Sequence, residues 1–253
     1  MKLIVAKSTD EMAEISAKHA ARVLNEAIEK NGSARLLLST GASQLKYFEE
    51  FVKQEVKWHR VEMFHLDEYV GISPVHPASF NNYLTKRFVD KVLPGKIHLI
   101  NGESDPFKTI AELTKEINEK DVDLGLIGIG ENAHIAFNDP PADFDDPRAY
   151  KIVTLAPRCL QQQVGEGWFK NVDETYKQAI SMTCPQIMKC RHIISVVPYK
   201  VKAEAIYKTF SGEINENVPA TLLKKHADAT VYCDADSASL LTAEIINEYT
   251  KQV

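Results

Sequence analysis

The chain has 253 residues, enough for one large core or two small ones, and its 44% hydrophobic and 26% charged content is that of an ordinary soluble globular protein. Its 35 acidic residues outnumber 30 basic ones, the net charge is −5, and the basic residues form no run. That argues against nucleic acid as the main partner, because phosphate backbones demand clustered Lys and Arg, but it leaves room for a small anion held by a few local cations.

The amino terminus is too short for a signal-peptide core and reads as a first strand, Leu3–Ala6. A helical pattern over Ser8–Lys30 follows, opened by the capping residues Ser8-Thr9-Asp10-Glu11. Strand Arg35–Ser39 leads to helix Ser43–Val56, strand Val61–Leu66 to helix Pro77–Lys91, and strand Ile97–Ile100 to helix Asp105–Glu119. Strand Leu124–Ile129 comes next. Then residues 139–191 interrupt the rhythm with a turn-rich loop, Asp139 to Pro147, and two short strands, Tyr150–Leu155 and Gln178–Met182, that suit a small antiparallel addition. Between those two strands lies a stretch from Gln161 to Phe169. Strand Ile193–Val197, helix Lys200–Ser211, strand Thr230–Cys233 and helix Ser237–Thr250 complete the chain.

Several of these strands lack polar alternation, as expected when both faces are covered. The βα rhythm therefore predicts an α/β fold with a mostly parallel sheet and helices on both sides. No repeat or linker divides the chain, so residues 1–253 read as one domain. The insertion at about 139–191 reads either as a lid or as a fixed peripheral cap. The longest apolar runs fall far short of a membrane span. Cys159, Cys184, Cys190 and Cys233 have no CxxC spacing and read as reduced structural thiols of a cytoplasmic protein. No group of His, Cys, Asp and Glu has zinc-ligand spacing, so no metal is expected.

Chemistry collects where apolar strands end. Ser39-Thr40-Gly41-Ala42-Ser43 turns from a strand into a helix, and its backbone N–H groups and hydroxyls suit a phosphate, although such a turn is as often a plain helix cap. Asp67-Glu68 follows Val61 to Leu66. An acid there is a candidate general base, and a solvated turn is the alternative. Gly128-Ile129-Gly130-Glu131-Asn132-Ala133-His134 runs on to Asp139, which places an imidazole within reach of a carboxylate that could orient it. A packed core histidine is the competing reading. Lys200, after the strand ending at Val197, could meet a phosphate or be an ordinary first-turn lysine. His65, His76 and Arg158 are weaker candidates, and Gln161, Gln162 and Gln163 read as solvated.

Taken together, Ser39 to Ser43, Leu66-Asp67-Glu68-Tyr69-Val70-Gly71 with His76-Pro77 and Ser79-Phe80, Gly128 through His134-Ile135-Ala136-Phe137-Asn138-Asp139-Pro140, and Lys200 resemble the glucosamine-6-phosphate deaminase/isomerase family through most of the chain. The resemblance implies a modified Rossmann-like three-layer α/β/α sandwich that binds a sugar phosphate rather than a dinucleotide. It implies conversion of glucosamine 6-phosphate and water to fructose 6-phosphate and ammonia, without a cofactor and without nucleic-acid or membrane partners. A homo-oligomer is compatible with it. By the same resemblance Ser39, Thr40, Gly41, Ala42, Ser43 and Lys200 hold the phosphate. His134 opens the ring, Asn132 and Asp139 serve the histidine, Asp67 moves the proton from C2 to C1, and Glu68 and Gly130 support them.

The chain departs from the family at several of these positions. Asn132 stands where Asp is frequent, Asp139 where Glu is usual, and Ala133 and Ala42 where glycines are usual. A phosphate-binding lid arginine has no counterpart near Trp168-Phe169. Two rival functions are a 6-phosphogluconolactonase-type hydrolase and a non-catalytic sugar-phosphate sensor. Tyr69 after Asp67-Glu68 and the Ile-Ala-Phe-Asn string after His134 count against the first. Retention of Asp67 and His134 counts against the second.

Overall fold

The computed structural model describes residues 1–165, 167 and 169–250, with the backbone alone for Gln162. Strand β1 (Lys2–Val5) leads into α1 (Thr9–Asn31), where the Ser8 hydroxyl accepts from the Glu11 N–H and Gly32, at φ 78°, closes the other end. There follow β2 (Ala34–Leu38), α2 (Leu45–Phe51), β3 (Val61–His65), β4 (Asp67–Tyr69), α3 (Phe80–Leu84), α4 (Asp90–Val92) and β5 (Lys96–His98). Next come α5 (Pro106–Ile117), β6 (Leu124–Leu126), β7 (Tyr150–Thr154), α6 (Pro157–Gly165), β8 (Gln178–Met182) and α7 (Cys184–Ile187). The chain ends through β9 (His192–Val197), α8 (Ala203–Ser211), β10 (Ala229–Cys233) and α9 (Ala243–Thr250). None of the described helices is long and apolar enough to cross a membrane.

Seven strands form one sheet in the order β1-β10-β9-β6-β2-β3-β5, and every pairing in it is parallel. The absence of polar alternation has a direct cause. Along β2, Leu36 and Leu38 point into one core with α1 and α2, while Leu37 points into the other with α5 and α8. The expected three-layer sandwich is therefore the observed one. From β2 the chain steps outward to β3 and β5, and from β6 it steps the other way to β9 and β10, with β1 beyond them at the edge. Between β2 and β6 the winding reverses, and open α/β sheets bind ligands at the carboxyl ends of the strands flanking such a point.

The interruption at 139–191 carries β7 and β8, which pair antiparallel as expected. Their third partner is not foreseen by the pattern. Strand β4 pairs with β8, Asp67 opposite Ser181, so the insertion is hydrogen-bonded to the segment that carries the acidic pair. Helix α6, also unforeseen, packs Cys159 and Leu160 on Tyr69, Phe80, Phe137 and Phe169. Several other elements are shorter than the sequence suggests. Ser79 caps α3 by accepting from the Asn82 N–H, so that helix starts at Phe80 rather than Pro77. The segment after Ser43 is a 3₁₀ turn, Ala42–Gln44, followed by only two turns of α-helix. The last helix begins at Ala243 rather than Ser237. All four cysteines are free and buried.

Candidate active site

Four adjacent strands, β3, β2, β6 and β9, deliver their carboxyl ends to one cavity. Ser39 to Ser43 follow β2, Leu66 and Asp67 follow β3, Gly128 to Glu131 follow β6, and Tyr199, Val201 and Lys202 follow β9. His134 from the β6 loop, Phe80, Ala136 and Phe137, and Gln163 from α6 complete the lining. The three polar strand ends singled out in the sequence thus meet in space.

The two acids after β3 have different surroundings, because neighbours on a strand face opposite ways. Glu68 is fully buried and accepts from the Ser79 hydroxyl (2.7 Å) and from the N–H groups of Asn81 (2.7 Å), Tyr69 (3.0 Å) and Phe80 (3.2 Å). It ties β4 to the start of α3. Burial still outweighs those donors and pushes its pKa up to about 7. Asp67 is 6% exposed and lines the cavity, and its carboxyl group makes no hydrogen bond among the described residues. Burial first, and the charge of Glu68 second, push its pKa up to about 8. A desolvated carboxylate with free lone pairs facing a cavity is a competent proton acceptor.

His134 sits within a tight loop whose bends place Ala133 at φ 66° and Ala136 at φ 50°. Its Nδ1 lies 3.1 Å from Asp139 Oδ1, and the Asn132 side-chain amide donates to the same oxygen at 2.9 Å. Asn132 also accepts from the His134 N–H at 3.2 Å. Burial opposes the Asp139 charge, but the bonds from His134, Asn132 and the Ala156 N–H prevail and hold its pKa below the ordinary range. An ionised Asp139 makes Nδ1 the donor and leaves Nε2 as the free acceptor. Gly130 is what makes room for the ring. A Cβ there would stand 2.3 Å from His134 Nε2, so any other residue displaces the imidazole.

At the turn after β2, Gly41 has φ 114°, a conformation open to glycine, and its carbonyl accepts from the Tyr83 hydroxyl at 3.0 Å. The Gln44 amide bridges to the Val196 carbonyl and the Ser43 hydroxyl, fixing this turn to β9. Ser39 Oγ is buried with no hydrogen-bond partner among the described residues.

The two lysines after β9 are placed differently. Lys200 is exposed and does not line the cavity, whereas Lys202 is 6% exposed and does. Tyr199 at φ 78° starts a 3₁₀ turn over Lys200–Lys202, and residues two apart in such a turn point about 120° away from each other. The Tyr199 N–H is anchored on the Asp234 carboxylate at 3.1 and 3.2 Å. The glutamine stretch also needs correction at one position. Gln163 is 6% exposed and lines the cavity instead of being solvated, while Gln161 is exposed. Its spacing from Cys159 and Leu160 places it on the apolar stripe of α6, and that stripe is the signal for it in the sequence. Glu166 and Trp168, in the same stretch, lie outside the described residues.

Of the weaker candidates, His65 is buried in β3 away from the cavity lining. Burial drives its pKa down to about 3, and it stays neutral. His76 Nδ1 accepts from the Ala78 N–H, and Arg158 is exposed. Glu62 of β3, His98 of β5 and Glu116 of α5 do converge at one edge of the sheet. Lys96 Nζ already sits there, 3.1 Å from Glu62 and 2.7 Å from Glu116, and the Arg35 guanidinium bonds Glu62 at 2.8 Å.

Residues 7–232 match the family model described as glucosamine-6-phosphate isomerases/6-phosphogluconolactonase. A glucosamine-6-phosphate deaminase of Thermoanaerobacter pseudethanolicus is 32% identical over 256 residues, covering 98% of each chain. The structure of a monomeric glucosamine-6-phosphate deaminase superposes with a TM-score of 0.87 at 29% identity, over 95% of this chain and 100% of that one. A 6-phosphogluconolactonase from Leishmania guyanensis shares the fold, with a TM-score of 0.77 at 14% identity over 96% and 99% of the two chains.

Proposed function

The chain belongs to the glucosamine-6-phosphate isomerase/6-phosphogluconolactonase family, and from that premise we propose that it is a glucosamine-6-phosphate deaminase. The observation that carries this reading is the meeting, in one cavity, of a buried Asp67, without a hydrogen-bond partner for its carboxyl group among the described residues, with the His134–Asp139 pair and the Lys202 cation. Full-length similarity at 32% identity supports the deaminase side of the family, whereas the lactonase likeness at 14% supports the fold alone.

The residues divide the work as follows. Lys202 and the backbone donors of the Thr40–Ser43 turn hold the phosphate. His134, with Nδ1–H fixed on Asp139, uses Nε2 to take the anomeric hydroxyl proton and returns a proton to the ring oxygen, which opens the ring. Asp67 then takes the proton from C2 and delivers it to C1. The product is a fructose imine, which water hydrolyses to fructose 6-phosphate and ammonia. These are proton transfers, and Asp67 and His134 suffice for them without a metal or redox cofactor. We take the whole chain as one catalytic unit, with the 139–191 insertion covering the site, and place it in the cytoplasm with its sugar phosphate.

The test is to supply glucosamine 6-phosphate, galactosamine 6-phosphate and 6-phosphogluconolactone, and to measure ammonia, ketose phosphate and lactone hydrolysis. Equal molar ammonia and fructose 6-phosphate from glucosamine 6-phosphate is the expected result. Lactone hydrolysis without ammonia would replace the proposal by the hydrolase, and binding without turnover would replace it by the sensor.

Gly130 offers a second check. Gly130→Ala places a methyl group where the His134 ring now lies, so kcat should fall by about 10²-fold, the lower end of a general acid–base contribution. An open-chain substrate analogue should recover part of that loss, because it bypasses ring opening. Equal losses on cyclic and open-chain forms would take ring opening away from His134.

A further inference from the structure

We propose that Gln163 reads a hydroxyl group of the sugar ring and thereby sets which hexosamine 6-phosphate the site accepts. The inference rests on the deaminase reading for its ligand class and on Gln163 itself for its content. Gln163 lies on the buried face of α6, beside Cys159, Leu160 and Val164, which pack against Tyr69, Phe80, Phe137 and Phe169. Phe80 and Phe137 stack with ring centroids 5.9 Å apart and also line the cavity. The amide is therefore set in an aromatic wall, on a helix that holds its position. Its Oε1 is buried and has no hydrogen-bond partner among the described residues, yet the side chain lines the same cavity as Asp67, His134 and Lys202.

A buried acceptor without a donor is destabilising, and such groups are normally satisfied. Where the side chain lines a cavity, a ligand that fills the cavity can bring the donor. The chemistry of an amino-sugar phosphate leaves one class of donor for it. The phosphate dianion offers only acceptors, which the amide oxygen repels. The ammonium group at C2 finds carboxyl acceptors in the same cavity, Asp67 and Glu131. The anomeric hydroxyl is engaged by His134, and the ring hydroxyls at C3 and C4 remain. A hydroxyl both donates and accepts, which matches the two ends of a primary amide whichever way the amide is turned. Sugars epimeric at C4 aim that hydroxyl in different directions, and an amide fixed on a packed helix cannot serve both equally.

The experiment measures binding, by calorimetry, of 1,5-anhydroglucitol 6-phosphate and its 3-deoxy and 4-deoxy analogues. These probes have neither an anomeric hydroxyl nor an amine and cannot react, so the outcome does not depend on whether ammonia is released. Wild-type protein should bind one of the two deoxy analogues about tenfold more weakly than the parent, or worse. Gln163→Leu should bind the parent about tenfold more weakly than wild type and no longer distinguish the deoxy analogues. Gln163→Met, with an unchanged melting temperature, serves if the leucine variant is misfolded. Undiminished binding of the parent by either folded variant, equal discrimination in wild type and variant, or no binding of the parent by wild type would each overturn the proposal. Failure of the wild type to release ammonia from glucosamine 6-phosphate would sink the deaminase reading alone.

Discussion

Asp67→Asn is expected to remove ammonia release and, at the same time, to raise the melting temperature. Both effects come from one fact, a buried carboxyl group that lines the cavity without a hydrogen-bond partner among the described residues and lies next to the buried Glu68. The amide keeps the shape and cannot accept the C2 proton, so turnover should fall by about 10²–10⁴-fold or more while substrate binding persists. The same burial raises the carboxyl pKa from the usual 3.8 to about 8. Between those two values the folded chain keeps a proton that the unfolded chain has lost, so folding stability falls as pH rises. The contribution of this group is fully present below about 3.8 and is lost as pH rises through about 8. The asparagine variant has no such loss. Its advantage in melting temperature should therefore be small at pH 4 and grow toward pH 8. Wild-type kcat/KM should rise over the upper part of that window, as Asp67 ionises. Near-wild-type turnover by the variant would remove Asp67 from the role of base. A gain in melting temperature that is the same at all pH values would mean that the carboxyl group is not the source of the strain.

The sheet and the place of the site were legible because both leave local marks. Leu36, Leu37 and Leu38 are apolar without alternation since the sheet is covered on both faces, and the polar residues begin where β2 ends. The same holds for Asp67 after β3 and for Gly128 to His134 after β6. What was not legible depends on partners remote in the chain. Strand β4 has three residues, and its identity comes from pairing with Ser181 in β8, more than a hundred residues away. Without that pairing Asp67 and Glu68 read as equivalent acids. With it, one faces the cavity and the other caps α3. The stretch from Ser237 to Leu240 reads as helix because its alanine and leucine favour one, but turns carry it. Gln163 was hidden by its company, since a run of three glutamines reads as solvent-facing until the helix phase selects one of them.

The lysine proposed for the phosphate is the case in which the phase of a single turn decides between two candidates, and it gives the sharpest paired experiment. Lys200 and Lys202 follow the same strand, have the same chemistry and differ only in direction. The left-handed Tyr199, held by Asp234, fixes that direction. Lys202→Met keeps the buried stem and removes the charge. A charge-assisted bond to a phosphate contributes roughly 1.5–3 kcal/mol, so KM for the sugar phosphate should rise by about 10–100-fold. Inorganic phosphate, as a competitive inhibitor, should weaken by a similar factor. Lys200→Met removes an exposed charge outside the cavity, and KM should stay within about twofold of wild type. The kinetic pattern matters as much as its size. A group that holds the phosphate in both ground and transition states raises KM more than it lowers kcat, whereas a group acting on the reacting carbons does the reverse. If Lys200→Met raises KM and Lys202→Met leaves it alone, the phosphate lies outside this cavity. The assignments of Thr40 to Ser43 as its backbone receptor would then fall with Lys202.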